Sequence, residues 1–325
     1  MQHWLRLLGI GLATSLTLAA APSLADTYPS KPIRLIVPFP ASGATDLLAR
    51  AIAQKVGAGL GQQIVVDNRP GAGGAIGSDM AAKAAPDGYT ILIATTSTHS
   101  IGPYINTHLP YNTETDFTPI GQVATATNVL VVPNQLPVKN VRELIDYAKK
   151  HPGELNYASS GNGTVVHLTA EAFKAQAGIF ITHIPYRGTA LAVPDLISNK
   201  VQVLFDSIVS GMPHVKDGKL KALAVTSLKR SPLAPELPTA SESGLPGFES
   251  DTWFGIYGPK GLPPEIVNRL NAEFNKAIQS QDVKDRLAKL GAEPVGGTPA
   301  QFAAMVKKDS ARWGKLIKDR KIQVD

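Results

Sequence analysis

The sequence predicts an α/β protein of two domains, the second inserted into the first, and three observations carry this. Short β-branched runs alternate with amphipathic or alanine-rich stretches, as strand and helix units do. The runs are apolar throughout, the pattern of strands covered on both faces, so mostly parallel sheets are expected. Once an N-terminal export segment is set aside, 300 residues remain (325 less 25), more than one hydrophobic core usually serves.

Arg6 precedes an apolar block from Leu7 to about Ala21, and Ser23-Leu24-Ala25 closes it before Asp26. This is the pattern of a secretory signal peptide, residues 1–25, cleaved near Ala25. The block is shorter than the ~20 residues a bilayer span needs. The mature chain is expected outside the cytoplasm, in the periplasm. The sequence contains no cysteine, which removes a lipid attachment point, a disulfide scaffold, a thiolate nucleophile and cysteine-bearing metal sites. Formal charge is +6, and +5 once Arg6 departs, so an anionic small ligand is electrostatically plausible. Scattered Lys and Arg and an aromatic content of 6% argue against nucleic acid as a partner.

Candidate strands fall at residues 33–37, 64–67, 90–94, 129–132, 155–158, 181–184, 201–205 and 253–257. Three helical stretches, 263–278, 282–290 and 299–318, close the chain, the first opened by Pro263-Pro264. Segments 120–133 and 220–226, the latter with the loop after it, look like crossings between domains. One domain is then 26–122 plus 243–325 and the other 123–242. Two crossings make a hinge.

Two strand-to-helix turns resemble each other: Pro38-Phe39-Pro40-Ala41-Ser42-Gly43-Ala44-Thr45-Asp46 and Ala158-Ser159-Ser160-Gly161-Asn162-Gly163-Thr164. Each sets Ser-Gly and then Thr at a helix start. Such a turn leaves backbone N–H groups without acceptors, beside hydroxyls and the positive end of the helix dipole. That is an anion-binding corner, and two facing corners can grip one carboxylate. Capping alone explains one Ser-Gly-Thr turn; a matched pair in two domains favours a site. Asp46 also fits as a first-turn acid favoured by the dipole. Ser97 and Thr98, after the strand 90–94, add hydroxyls at the carboxyl edge where open α/β sheets bind ligands, or simply cap a loop. Tyr186 and Arg187 follow the strand 181–184, and Arg187 could meet a second carboxylate bidentately. Asp206 ends the next strand and could hold a hydroxyl or amino group, or cap the helix behind it.

The glycine run from Gly71 to Gly77 is not a dinucleotide fingerprint, because the third glycine of G-x-G-x-x-G would fall at Ile76. No serine is flanked by glycine at both second-neighbour positions, so the hydrolase nucleophile elbow is absent. The histidines show no metal-ligand spacing, and His167 fits a core or rim position. No catalytic residue, cofactor or metal is expected.

Tyr28-Pro29-Ser30-Lys31-Pro32-Ile33, the Pro38-Phe39 turn ending at Asp46, Asn68-Arg69-Pro70-Gly71-Ala72-Gly73-Gly74, Pro86-Asp87-Gly88-Tyr89, the turn from Ser159 to Thr164 and Pro185-Tyr186-Arg187-Gly188 together resemble the Bug-type receptors of tripartite tricarboxylate transporters. The resemblance spans essentially the whole mature chain. It implies a type II periplasmic-binding (Venus-flytrap) architecture whose two turns clamp a ligand carboxylate, and delivery to a membrane permease of two subunits. Ser42-Gly43 stands where the family usually has paired glycines, and Arg187 where many relatives have Lys. The expected protein is a monomer that closes around one small carboxylate, with Arg187 favouring a dicarboxylate, aliphatic or aromatic. A sensor partner that presents the ligand to a signalling receptor is the alternative, and a secreted hydrolase a remoter one.

Overall fold

A computed structural model describes residues 28–106 and 108–322; the expected signal peptide lies outside the described residues. In chain order the elements are β1 (Ile33–Val37), α1 (Ala44–Leu60), β2 (Ile64–Asn68), α2 (Ala75–Ala82) and β3 (Thr90–Thr95), then a π-helical turn (Thr96–Ile101) and α3 (Gly102–Ile105). Next come β4 (Phe117–Ala126), β5 (Asn128–Pro133), α4 (Val141–Lys150), β6 (Asn156–Ser159), α5 (Val165–Ala177), β7 (Thr182–Pro185), α6 (Thr189–Ile197), β8 (Val203–Ser207), α7 (Ile208–Lys216) and β9 (Leu220–Val225). The chain ends with β10 (Thr252–Pro259), α8 (Pro264–Gln279), α9 (Gln281–Lys289), β11 (Ala292–Pro294) and α10 (Pro299–Arg320).

The strands form two sheets, ordered β11-β4-β10-β3-β1-β2 and β7-β6-β8-β5-β9. Their helices follow from apolar spacing. Leu48, Ile52, Val56 and Leu60 line one face of α1 and share a core cluster with Ile33, Leu35, Ile91 and Ile93 of the sheet and with Leu270 and Phe274 of α8. Gly61, at φ 71°, ends α1 in the left-handed conformation that glycine adopts without steric penalty, its N–H bonded to Gly57 O. Gly255 of β10 has a different task. A Cβ there would lie 2.0 Å from the Phe302 ring, so its absence lets α10 settle on the sheet.

The sheets are mixed, which corrects the expectation of mostly parallel pairing. β1 pairs in parallel with β2 and β3, and β6 with β7 and β8, but β10 runs against β3 and β4, and β5 against β8 and β9. The reason lies in the crossings. β4 leaves the first sheet at its carboxyl end and β5 enters the second there, so β5 must run away from the edge at which β6 and β8 finish. β10 does the same on its return to the first sheet.

The expected domain boundaries at 122 and 243 also shift. β4 stays paired with β10 as far as Ala126 opposite Thr252, and Leu245 and Phe248 pack in the second sheet's cluster, Phe248 at 5.8 Å from the Phe173 ring. The chain therefore changes sheet at Thr127 and again between Ser250 and Thr252. Hydroxyls stitch these two points together. Thr226 Oγ1 donates to Ser250 O (2.8 Å) and accepts from Asn128 N–H (3.0 Å), while Ser250 Oγ meets Thr169 Oγ1 at 2.5 Å.

Asp251 sits at this double crossing. Burial pushes its carboxyl up to about 7; Glu249 and Glu293 push the same way, against hydrogen bonds with Thr127 and Thr226. An unfolded aspartate titrates near its ordinary 3.8, so between these values the folded chain holds a proton that the unfolded chain releases. This group's contribution to stability therefore falls as pH rises from 3.8 towards 7. Asp251→Asn should raise Tm relative to the parent at pH 8 and give no gain at pH 4, read by thermal melts at both; an equal shift at the two pH values would contradict this placement of the charge.

Candidate ligand-binding site

The first turn joins β1 to α1. Gly43 occupies the N-cap without a side-chain cap, so the helix start is held from elsewhere. Ser42 takes φ 64° and its N–H donates to Asp46 Oδ2 at 2.8 Å. Asp46, 2% exposed, also accepts from Arg50 Nε (2.9 Å to Oδ1) and Asn68 Nδ2 (3.0 Å to Oδ1). Asn68 Nδ2 in turn donates to Phe39 O at 3.1 Å. Burial alone would raise the Asp46 carboxyl; Arg50, the Ser42 N–H and Asn68 outweigh it and hold the group below its usual range. Both carboxylate oxygens are thus engaged within the chain, and the turn is pinned around an ion. Ala41, Ser42 and Ala44 remain exposed, Thr45 is buried, and Phe39 is half-buried against the first core.

The second turn joins β6 to α5. Thr164 caps the helix, its Oγ1 accepting from His167 N–H (3.4 Å) and Ser160 Oγ (3.0 Å) and donating to Gly161 O (2.8 Å). Gly163 N–H donates to His167 Nδ1 at 3.1 Å, so that nitrogen must keep its lone pair. Ser159 Oγ and His183 Nε2 meet at 2.6 Å. The two imidazoles stack at 4.0 Å with Tyr157 at 4.7 Å from the His183 ring. Burial pushes both histidines down, His183 to about 4, where His167 reinforces the effect. Below them Tyr157 OH donates to Glu171 Oε1 at 2.6 Å, and Lys174 pairs with the same carboxylate. Asn162 is exposed and Gly163 buried at the turn's tip.

Segment 96–101 is a π-helical turn rather than a loop, with Thr98 Oγ1 accepting from Thr95 N–H (3.0 Å) and donating to Thr95 O (3.1 Å). Thr98 is thus a buried internal cap. Ser97 does more: its Oγ accepts from Val165 N–H at 3.3 Å, tying the carboxyl edge of the first sheet to the start of α5. Near this tie Asn162 and Gly163 face Ala72, Gly73, Ala75, Ser97 and Thr98 across a cavity of about 330 Å³. Other contacts join the halves. Ile101, Trp313 and Ile317 share one apolar cluster with Val129, Val165 and Ile208, and a Cβ on Gly291 would lie 2.4 Å from the Ile208 side chain.

The remaining candidates sit at the second sheet's carboxyl edge. Tyr186 N–H donates to Ser159 O (3.1 Å), which lays the 186–188 loop against the second turn, but the Tyr186 hydroxyl turns back to Asp195 Oδ2 (2.9 Å). Arg187 is exposed. Asp206 is 2% exposed at the end of β8. Among the described residues no group of three or more His, Asp or Glu could hold a metal ion.

The structure thus brings together the second turn and Ser97 directly, and sets Phe39 close to Thr98: a Cβ on Gly74 would lie 3.4 Å from Phe39 Cζ and 2.6 Å from Thr98 Cγ2. Sequence reasoning missed the supports. Arg50 carried no signal, Asn68 entered only through the motif it opens and not as a support, and His183 meets the turn only through sheet pairing, Tyr157 opposite His183. His167 alone was traceable, standing three residues after the Thr164 cap.

The sequence profile described as the tripartite tricarboxylate transporter family receptor matches residues 48–322. The chain belongs to that receptor family. Protein BugT of Bordetella pertussis (strain Tohama I) is similar at 38% identity over 320 residues, 98% of each chain. Among solved structures, R. palustris Rpa4515 with adipate is 38% identical at TM-score 0.84, spanning 91% of this chain and 100% of that one. MatC (Rpa3494) from Rhodopseudomonas palustris with bound malate is 33% identical at TM-score 0.79, spanning 89% of this chain and 100% of that one. This receptor therefore has the solute-binding fold that the sequence's resemblance to Bug-type proteins implied, with the paired domains of that architecture.

Removing the ion that pins the first turn is a direct check on its construction. Asp46→Ala should cost about 1–3 kcal/mol, since it removes a buried acceptor that ties Ser42 N–H, Arg50 and Asn68 together. Urea unfolding measures this, and an unchanged midpoint would show that the turn holds its shape without the carboxylate.

Proposed function

We propose that this receptor is exported to the periplasm, captures a small dicarboxylate between its first and second turns, and delivers it as a monomer to a two-subunit membrane permease. The observation that carries the reading is the placement of two helix starts, α1 and α5, at the carboxyl ends of strands in two sheets joined by a double crossing. Their first-turn N–H groups lack acceptors within the helices, and both dipoles put positive charge there. The adipate and malate held by two solved relatives support a carboxylate ligand. The excess of Lys and Arg over Asp and Glu, 32 against 26, points the same way.

The energetics suffice without a fixed cation in the clamp. A helix-start charge interaction contributes up to ~2 kcal/mol when partly buried, and each hydrogen bond to a charged group ~1.5–3 kcal/mol. Four or five such contacts reach the ~8 kcal/mol of micromolar binding after ordering costs. On this reading the exposed Arg187 closes over the ligand's second carboxylate. A guanidinium matches it with two parallel N–H bonds, which a monocarboxylate leaves unused. Asp46 and Thr98 act as supports, Ser42 and the backbone of 43–45 and 160–164 as contacts.

Isothermal titration of the mature protein with aliphatic and aromatic mono-, di- and tricarboxylates tests this. Dicarboxylates should bind in the micromolar range. Arg187→Ala should weaken them about tenfold while leaving any monocarboxylate within about twofold, since one charged hydrogen-bond pair is removed. Absence of binding by every carboxylate would overturn the proposal; equal losses for mono- and dicarboxylates would overturn the role of Arg187.

A further inference from the structure

Lys and Arg recur along the whole chain, but their excess over acids does not. Residues 307–321 carry seven Lys and Arg against two Asp, an excess of five where the full chain has +6. All but Lys321, the C-cap, lie on α10, whose 22 residues make a rod about 33 Å long. At about 100° per residue, Lys307, Lys308, Arg312, Lys315 and Lys318 fall within about 140° of its circumference, and each is exposed. The opposite face is core: Phe302, Trp313 and Ile317 are no more than 5% exposed. Arg312 is answered by Asp309, and Lys315 by Asp319. Lys307, Lys308, Lys318 and Lys321 form no ion pair among the described residues. Beside them the exposed Tyr104 ring lies against Gly314, where a Cβ would stand 2.5 Å from it, and Ser310 Oγ donates to its hydroxyl at 3.3 Å.

Solubility alone does not ask for this. α8, also on the first domain, spaces Glu265, Arg269, Glu273 and Lys276 along its length, so its charges cancel. A face of one sign repels itself unless an anionic surface lies against it. We infer that the basic face of α10 holds the receptor on an anionic phospholipid surface, with headgroup phosphates as the counter-ions of Lys307, Lys308, Lys318 and Lys321. The residue types favour lipid over an acidic protein. Protein interfaces are enriched in Arg and aromatic anchors and depleted in Lys. Here the unpaired cations are all Lys, and none of the exposed large apolar side chains belongs to α10. An ammonium on a flexible stem suits a field of phosphates with no fixed positions. Tyr104, beside the stripe, has the amphipathic ring that favours the headgroup level. A receptor that serves a membrane permease then meets it by diffusing in two dimensions. The inference goes beyond the carboxylate reading and does not depend on it.

Flotation of the mature chain with vesicles of phosphatidylcholine alone, and of phosphatidylcholine mixed with phosphatidylglycerol, tests it. The protein should float with the phosphatidylglycerol vesicles at low salt and not with phosphatidylcholine alone. About 0.5 M NaCl, which shortens the screening length to roughly 4 Å, should release it. Each lysine at the surface contributes about fivefold in affinity, so replacing Lys307, Lys308, Lys318 and Lys321 together by Gln should weaken binding by at least tenfold. A control with Lys139, Lys149, Lys150 and Lys229 replaced by Gln makes the same change in net charge at exposed sites of the second domain, and should stay within about threefold of the parent. Thermal melts check that both variants fold. No flotation with phosphatidylglycerol at low salt, equal flotation with phosphatidylcholine, or equal losses in the two variants would each overturn the inference, the first leaving the face to an acidic protein. Carboxylate titration of the same variants should match the parent, so failure here leaves the clamp reading standing, and failure of the clamp leaves this one.

Discussion

A helix that starts at the end of a strand exposes N–H groups its own backbone cannot satisfy, and this chain places two such starts at the edges of two sheets. Much of the site follows from how each start is held. The second is capped in the ordinary way, by the Thr164 hydroxyl, and braced by a histidine accepting from Gly163 N–H. The first has no side-chain cap. Its turn is bent by Ser42 at positive φ and fixed by an aspartate one turn into the helix, whose charge is compensated by Arg50 and Asn68. Both solutions set a helix start and its positive dipole at the carboxyl edge, although at the second Ser97 Oγ takes Val165 N–H and Thr164 Oγ1 takes His167 N–H.

Chain direction is the second constraint. Because β4 hands over to β5 at Thr127 and the return enters β10 after Ser250, both crossings lie at the carboxyl edges where the helix starts lie. The two crossings and the candidate site therefore share one edge of each sheet. Hydroxyls at the crossing, Thr226 and Ser250 foremost, let the two strands pass close together while keeping every bond short in range. An apolar contact also spans the halves, joining Trp313 and Ile317 of α10 to Val129, Val165 and Ile208 beside the crossing.

Much of this was legible in the sequence because it is local. Alternating apolar runs gave the α/β class, the two Ser-Gly turns gave the helix starts, and Thr164 gave its own cap. Failures came where the deciding partner is distant. Sheet direction was misjudged because apolar runs report burial on both faces, not the sense of pairing, and the crossings dictate that sense. Asp46 fits either a first-turn acid or a ligand contact in the sequence; both its oxygens bond to Ser42, Arg50 and Asn68, and of these Asn68 arrives only through β2. The His167–His183 stack was invisible for the same reason, since the rings meet through α5 and β7 packing on a common strand. Segment 96–101 has no propensity signal that separates a π-helical turn from a polar loop.

The central claim is that two helix starts grip one carboxylate together. Amide resonances of the ¹⁵N-labelled protein, followed while a dicarboxylate is titrated, test it most directly. The account predicts that the N–H signals of Gly43, Ala44 and Thr45 and those of the 160–164 turn move along one binding curve with a single Kd. Movement confined to one turn, with the other unchanged at saturation, would contradict it.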